Sequence, residues 1–246
     1  MKIMESQYGV IEPQAEFPVK RLLRVHHKDS DLVVGFPAFG PRSLKENLEE
    51  MSEDYSHPTT GEKISFRKPT TSESISAIAY GFGSNKKVDA KRDILNPIWL
   101  QAGDIIRTQD GVFTNTTETD ESKLKAMLNN AEKVKGIYFL PNEVAFAPYD
   151  TFDRGVQDCD TFVQGGLARA LEHTYEKVAQ NLKVISSPQN YRDGVGVYDF
   201  GSVKEPVSKV VTLSSFRGFA LDWLFVDGDG WVVSDGSAFG VLSQEK

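Results

Sequence analysis

One cysteine and four histidines are the side chains with the most evident catalytic chemistry in this 246-residue sequence. Cys159 stands between Asp158 and Asp160 at the predicted start of a helix. Free backbone N–H groups and the helix dipole favour a thiolate in a first turn, which would make the sulfur a nucleophile. The two neighbouring carboxylates disfavour a thiolate by repulsion, and the two effects are of similar size. The local sequence is therefore compatible with a reactive or a structural cysteine.

The helix predicted to carry Cys159 also offers a purely structural explanation. Apolar or small side chains follow the cysteine at helical spacing: Val163, Leu167, Ala170, Thr174 and Val178. This pattern predicts a helix over 159–182 with one buried face that includes the sulfur. Because free cysteine is among the most buried residue types, we expect Cys159 to be buried and structural. Gly165-Gly166 in this helix indicates a closely approaching strand or, as the less favoured interpretation, a break.

Two short segments resemble the papain-like cysteine hydrolase superfamily. Residues 158–171 open with Asp-Cys-Asp-Thr-Phe-Val, similar to the helix that carries the nucleophile, and LQAGDII at 100–106 is similar to a Gly-Asp strand of those families. The likeness is to the bacterial cell-wall endopeptidase branch and the circularly permuted, acyltransferase-like branch. It implies a hydrolase or acyl transferase with Cys159 as nucleophile and a histidine base, for which His57 and His26 are the candidates.

The histidines depart from the common order of such enzymes, in which the base begins a strand downstream of the cysteine. No histidine follows His173 in the sequence. His173 itself would lie roughly 21 Å from Cys159 along one helix, whereas proton transfer requires about 3 Å. The base would therefore come from upstream, from His26, His27 or His57, and each of these is also explained as a surface or loop side chain.

Helical spacing and capping patterns predict the elements that position these side chains. Ser43 and Glu46 match a capping box before a helix over 44–55, and Thr70 and Glu73 match another before a helix that ends at 81–83. A third helix is predicted over 120–135, with Gly136 as its left-handed cap. Strands are predicted at 31–36, 63–67, on both sides of Asp110-Gly111 within 103–115, and at 136–140, 195–200, 208–216, 219–226 and 231–235.

Glycines mark two predicted hairpin turns. Asp110-Gly111 predicts an exposed turn, and the stretch Gly228–Gly230 predicts another, in which the glycines adopt positive backbone angles. Asp227 and Asp229 also resemble the start of a calcium-binding loop, but Trp231 occupies the third ligand position and no closing glutamate follows. We therefore predict a turn without a metal.

The pattern of elements predicts an α+β fold, with an antiparallel sheet that is mainly C-terminal and packed with about four helices. The length is compatible with a single domain over 1–246. The polar stretch 84–93 is the candidate joint between subdomains.

Composition and charge narrow the classes of function. One cysteine can form neither an intrachain disulfide nor a thiolate zinc cluster, which favours a reducing, cytoplasmic location. The net charge of −7 argues against binding to nucleic acid, and the basic stretch 20–28 is interpreted as a solvated face. No run reaches the roughly 18 apolar residues of a membrane span, and cofactor-binding motifs are missing. We expect a soluble protein with no cofactor or metal and no contact with membrane.

Three hypotheses of function follow. The favoured one is a non-catalytic intracellular domain that binds a protein or a small molecule. The alternative is a cysteine-dependent amidase, peptidase or acyl transferase that uses Cys159. The third is a hydrolase assembled from carboxylates such as Asp104, Asp150, Asp153 and Asp158.

Overall fold

The computed structural model describes residues 21–56, 61, 63–83, 94–95, 99–218, 221–230 and 236–243. The chain divides into two compact units. The first takes the residues up to Pro69 and those from Val232 onward, and the second spans Thr70–Trp231. The joint predicted at 84–93 lies outside the described residues, and the single-domain interpretation stays a prediction.

Short strands dominate the described residues. The strands are β1 (Arg21–His27), β2 (Ser30–Phe36), β3 (Phe39–Arg42), β4 (Tyr55–Ser56), β5 (Lys63–Ile64), β6 (Phe66–Arg67), β7 (Trp99–Arg107), β8 (Gly111–Thr114), β9 (Glu132–Val134), β10 (Ile137–Phe139), β11 (Ala145–Pro148), β12 (Gly155–Gln157), β13 (Val195–Tyr198), β14 (Val207–Gly218), β15 (Leu221–Asp227), β16 (Gly236–Ala238) and β17 (Val241–Leu242). The helices are α1 (Leu44–Met51), α2 (Thr71–Gly83), α3 (Glu121–Leu128), α4 (Cys159–Gln164), α5 (Gly166–Glu172) and α6 (Gln180–Ile185), with a 3-10 turn at Tyr149–Thr151.

The first unit contains a four-stranded antiparallel sheet in the order β1-β2-β17-β6. Its core is a cluster of seven buried side chains: Leu22, Phe39, Met51, Tyr55, Ile64, Phe66 and Ala238. Helix α1 starts at the predicted capping box of Ser43 and Glu46. It ends at Met51 rather than at residue 55, because Tyr55 pairs with Ile64 in the β4–β5 ladder.

The second unit is built on a sheet whose strands follow the order β12-β13-β15-β14-β7-β8-β11-β10-β9. Neighbours run antiparallel except β13 and β15, which are parallel. The long pairing of β14 with β7 contains a register shift between Val211 and Thr212. Helix α2 starts at the predicted box, where Thr70 N donates to Glu73 Oε2 at 2.8 Å.

The predicted fold class is wrong, since the protein is sheet-rich rather than α+β with a mainly C-terminal sheet. Strands begin at Arg21 and recur along the described chain, and the sheet of the second unit already starts at Trp99. Many of these strands have two to four residues, which is too short to show the alternation by which a strand is recognised. In the part of the chain described, no helix is long and apolar enough to cross a membrane.

The predicted helix over 120–135 is correct only in its first half. Helix α3 ends at Leu128, and the next residues form the β9–β10 hairpin. Lys135 and Gly136 both have positive φ, 51° and 86°, as a two-residue turn between twisted strands requires. Gly136 is therefore a turn residue and not a helix cap.

The predicted helix over 159–182 is interrupted twice. Gly165, whose ψ is 152°, separates α4 from α5, and residues 173–179 separate α5 from α6. A Cβ atom on Gly166 would lie 2.5 Å from Ile137 Cδ1 and 2.7 Å from Thr151 Cβ. Both interpretations of the glycine pair thus apply, because the helix breaks and its backbone also approaches its neighbours closely. The predicted buried face is nevertheless present on both sides of Gly165, because the side chains of Cys159, Val163, Leu167 and Ala170 are all buried.

The two predicted turns have different outcomes. Asp110 is exposed at the β7–β8 hairpin as predicted, whereas Gly111 is buried. Neither Gly228 nor Gly230 has a positive φ, so that part of the prediction is wrong. A side chain on Gly228 would lie 2.7 Å from the Phe200 ring, so the requirement for glycine is steric. The strand predicted at 231–235 lies outside the described residues.

Candidate functional site

Cys159 is the first residue of α4, and its environment is that of a packed thiol. The side chain of Asp158 caps the helix by accepting a hydrogen bond from Thr161 N at 2.9 Å. Cys159 is 8% exposed, and its Sγ lies 3.1 Å from Ser186 Oγ. Because the Ser186 hydroxyl donates its one proton to Leu182 O at 2.7 Å, the thiol acts as the donor toward Ser186. The prediction that Cys159 is buried is confirmed.

The structure does not test whether an imidazole reaches Cys159. His57 lies outside the described residues. His26 lies on β1 in the first unit, where its ring contacts Asp31 at 3.4 Å, whereas Cys159 belongs to the second unit. His173 caps α5 in a left-handed conformation, with Nε2 3.3 Å from Leu140 O. The assignment of Cys159, His57 and His26 to a catalytic site stays a prediction.

Replacing Cys159 with alanine is expected to lower the free energy of unfolding by about 1 kcal/mol, through lost packing and one weak hydrogen bond. The native thiol should react with iodoacetamide slowly at neutral pH and rapidly only after unfolding, because Ser186 and the α4–α6 packing cover it. Alkylation rates with and without denaturant measure this. Fast alkylation of the folded protein at pH 6 would contradict a structural role and favour the cysteine hydrolase hypothesis.

Asp227 and Asp229 form a compact turn in which Asp227 Oδ1 accepts a hydrogen bond from Asp229 N at 2.7 Å. The Asp229 carboxylate contacts Lys209 Nζ and lies 3.9 Å from Arg107 Nη1. Burial raises the pKa of Asp227. Within the described residues, no cluster of three or more acidic, cysteine or histidine side chains has a metal-binding arrangement. The positive charges of Lys209 and Arg107 oppose the negative charge of the Asp229 carboxylate in this turn.

A groove beside helix α3, here named the α3 groove, is the candidate binding site of the second unit. Its volume, including its open mouth, is about 470 Å³. It is lined by residues of the β7–β8 turn, β8, α3, β11 and the segment before β14: Thr108, Gln109, Asp110, Phe113, Glu121, Leu124, Lys125, Leu128, Phe146, Lys204 and Pro206.

The inner surface of the α3 groove is apolar. Phe113 and Phe146 are register partners on β8 and β11, with ring centroids 4.5 Å apart. Leu124 packs beside them in the same buried cluster, and Leu128 covers its edge. Asp120 caps α3 by accepting hydrogen bonds from the first-turn backbone, which holds the helix over these rings.

Hydrogen bonds hold the wall formed by the β7–β8 turn. The Thr108 hydroxyl donates to Gly111 O at 2.9 Å, within the turn itself. From outside the turn, Ser202 Oγ donates to Gln109 O at 2.7 Å. The Tyr149 hydroxyl, with one proton to donate, lies 3.1 Å from Thr108 O and 2.9 Å from Gly201 O. The groove is thus largely formed before any ligand enters.

The rim of the groove carries charges of both signs. Lys125 Nζ donates to Glu121 Oε1 at 2.5 Å, and this hydrogen bond raises the pKa of Lys125, with a smaller contribution from Asp110. Lys204 is exposed and has no hydrogen bond or ion pair with any described residue. The rim therefore presents one cation, Lys204, and one carboxylate, Asp110, outside the Lys125–Glu121 pair.

None of the residues of the α3 groove was among the predicted site residues. The cap at Asp120 and the spacing of Leu124 and Leu128 indicate an amphipathic helix, which is the one local signal available. Phe113, Phe146 and Lys204 meet through strand pairing between distant parts of the chain, which local patterns do not encode.

Neither a protein-family model nor a curated protein matches this chain. A solved structure described by the words "Accommodation of massive sequence variation in Nanoarchaeota by the C-type lectin fold" is similar in backbone, with a TM-score of 0.49 and 15% sequence identity. The similarity covers 82% of this chain and 94% of the other. No assignment of family or function follows from these comparisons.

Proposed function

We propose that this protein binds, without catalysis, a small amphipathic acid whose apolar body enters the α3 groove and whose anionic group meets Lys204. The observation that carries the proposal is the combination of an apolar floor with a locally unpaired lysine on a rim that is already formed.

The lining of the groove suits the apolar part of a small molecule. Small-molecule pockets are mostly apolar and lined with a few polar groups that orient the ligand. The α3 groove has two aromatic rings in its floor and charged side chains at its rim. Burial of an aromatic or aliphatic body against Phe113, Phe146 and Leu128 supplies the apolar part of the affinity.

Charge supplies the orientation. Lys125 already pairs with Glu121, so the anionic group of a ligand is attracted most strongly to Lys204. Because Lys204 is exposed, its contribution to affinity is modest, on the order of 1 kcal/mol or less. The anionic group therefore selects the direction of binding more than its strength.

The chemistry of the lining favours binding over catalysis. The hydroxyl of Thr108 donates to Gly111 O and accepts from backbone N–H groups of its own turn. It is therefore committed to the structure of the wall and is not poised as a nucleophile. The remaining polar groups of the rim orient a ligand by charge and hydrogen bonding.

Fluorescence titration with 1-anilinonaphthalene-8-sulfonate tests the proposal, because this probe joins an aromatic body to one anionic group. Saturable binding to the folded protein is expected. Leu128→Glu should weaken it by about tenfold or more, because a carboxylate would face the apolar floor without a partner. Lys204→Ala should weaken it by about threefold, as loss of one exposed charge does.

Ala126→Glu is the matched control, since Ala126 is exposed on the same helix and does not line the groove. It should bind the probe as the unmodified protein does, and each titration is run well below the melting temperature of the variant. Equal weakening by Ala126→Glu and Leu128→Glu would contradict the location of the site. Unchanged binding by both would refute the proposal.

A further inference from the structure

We propose that Arg107 and Arg154 form a binding site for a phosphoryl group above Gly201, independent of the α3 groove. The position that a Cβ atom would occupy on Gly201 lies 3.5 Å from Arg154 Nη1 and 3.9 Å from Arg107 Nη2. Two guanidinium groups thus face one point in space, and glycine leaves that point free.

Arg107 is held rigidly in this arrangement. Its side chain is 13% exposed, its Nε donates to Gly201 O at 3.1 Å, and its Nη1 faces Asp229 at 3.9 Å. The guanidinium group also acts on the Tyr149 hydroxyl, and its Nη2 lies 3.9 Å from the position of a Cβ atom on Gly201. A guanidinium group with its position fixed loses little entropy when it binds an oxyanion.

Arg154 supplies the second charge. It is exposed and has no hydrogen bond or ion pair with any described residue. The charges of Arg107 and Arg154 also both affect the pKa of the Tyr149 hydroxyl. Burial raises the pKa of that phenol, and the charges of Arg107 and Arg154 oppose the rise. Two like charges directed at one position repel each other, and an anion between them removes the repulsion.

Asp229 and Asp227 are acids that act on Arg107. Asp229 is shared with Lys209, and burial raises the pKa of Asp227 while the charge of Arg107 opposes that rise. The charge of Arg154 is left without a local partner. A phosphoryl group suits this arrangement better than a carboxylate, because its oxygens diverge and can bind two separate guanidinium groups at once.

Isothermal titration of the intact chain with inorganic phosphate, at constant ionic strength, tests the proposal. The unmodified protein should bind one phosphate. Arg154→Ala should weaken binding roughly tenfold or more, by loss of a charge-assisted hydrogen bond. Gly201→Ala should weaken binding similarly without lowering the melting temperature, because the added methyl group makes only ordinary contacts while occupying the oxyanion position.

Lys177→Ala is the matched control, since Lys177 is an exposed cation of the same unit that takes no part in the site. Its affinity for phosphate should equal that of the unmodified protein. Equal weakening in Lys177→Ala and Arg154→Ala would show nonspecific charge attraction and overturn the site. Unchanged affinity in Gly201→Ala would show that phosphate does not bind above Gly201. Equally tight binding of acetate would overturn the preference for a phosphoryl group.

Discussion

Replacing Gly103 with alanine is expected to lower the free energy of unfolding by about 3 kcal/mol, as overpacking of a tight core contact does. Gly103 lies in the middle of β7, directly under the start of α2. An added Cβ would lie 2.9 Å from Thr71 Cβ and 3.0 Å from Thr71 Cα, and it would also overlap Thr71 Oγ1. Because two of these atoms belong to the backbone or are directly attached to it, no rotamer change relieves the contact.

The displacement would also disturb the hydrogen bonds that anchor α2. Asn115 Oδ1 accepts from both Thr71 N and Thr71 Oγ1 at 2.8 Å, and Asn115 Nδ2 donates to Glu143 O at 2.8 Å. Thr71 is fully buried, so separated partners would not regain these bonds from water. Urea unfolding measures the loss.

Gly83→Ala is the control for the Gly103 prediction. Gly83 is exposed at the last position of α2, and a Cβ there would meet no atom within 4 Å. That variant should be neutral or slightly more stable, by less than about 1 kcal/mol. A Gly103→Ala protein as stable as Gly83→Ala would show that β7 and α2 are not in the contact described.

Replacing Glu172 with alanine is expected to cost about 2–3 kcal/mol, because it removes the acceptor for buried backbone donors. Glu172 ends α5 and is 7% exposed. Its two carboxylate oxygens accept from Asn181 N at 3.0 Å and Leu182 N at 3.1 Å, in the first turn of α6. The carboxylate therefore joins α5 to α6, and Glu172→Gln should also destabilise because its amide NH₂ would face a donor.

Burial raises the pKa of Glu172, although the backbone hydrogen bonds oppose the rise. A carboxyl group whose pKa is higher in the folded than in the unfolded state stabilises most at acid pH. That contribution is lost as pH rises through the interval between the two values. The stability difference between the unmodified protein and Glu172→Gln should therefore be largest near pH 4 and shrink toward pH 7, which unfolding curves across that range would measure.

Glu205→Gln is the control, because Glu205 is an exposed carboxylate of the same unit and is not among the groups that shift the pKa of Glu172. Its stability should differ from that of the unmodified protein by less than about 0.5 kcal/mol at every pH. A difference for Glu172→Gln that grows from pH 4 to pH 7 would contradict the direction of the pKa shift.

Elements whose stabilising contacts lie within a few residues were predictable from the sequence. The capping boxes at Ser43 and Thr70 are formed by a side chain and a backbone group three residues apart, and α1 and α2 begin there. Asp110-Gly111 located the β7–β8 hairpin, although Gly111 belongs to β8 and hydrogen bonds between Thr108 and Gly111 close the turn. The burial of Cys159 was predictable because apolar spacing along α4 and α5 survives the break between them.

Elements that depend on contacts between distant segments were not predictable in this way. The break at Gly165 is accompanied by the close approach of Gly166 to Thr151 and Ile137. Residues 132–134 become a strand because β10 pairs with them, although their spacing continues the helical pattern of α3. Strands this short gain their stability from ladder partners rather than from their own residues.

The sequence by itself determined the starts of helices, the tight β7–β8 turn and the buried face that carries the cysteine, since each depends on local hydrogen bonds or on spacing within one segment. Only the tertiary structure decided that the protein is sheet-rich and that a groove lies beside α3. It also decided that two arginines meet above Gly201. Those features arise because pairing of β7, β8, β11 and β14 brings together side chains separated by tens of residues. The residues of one segment do not specify which distant strand will pair with it.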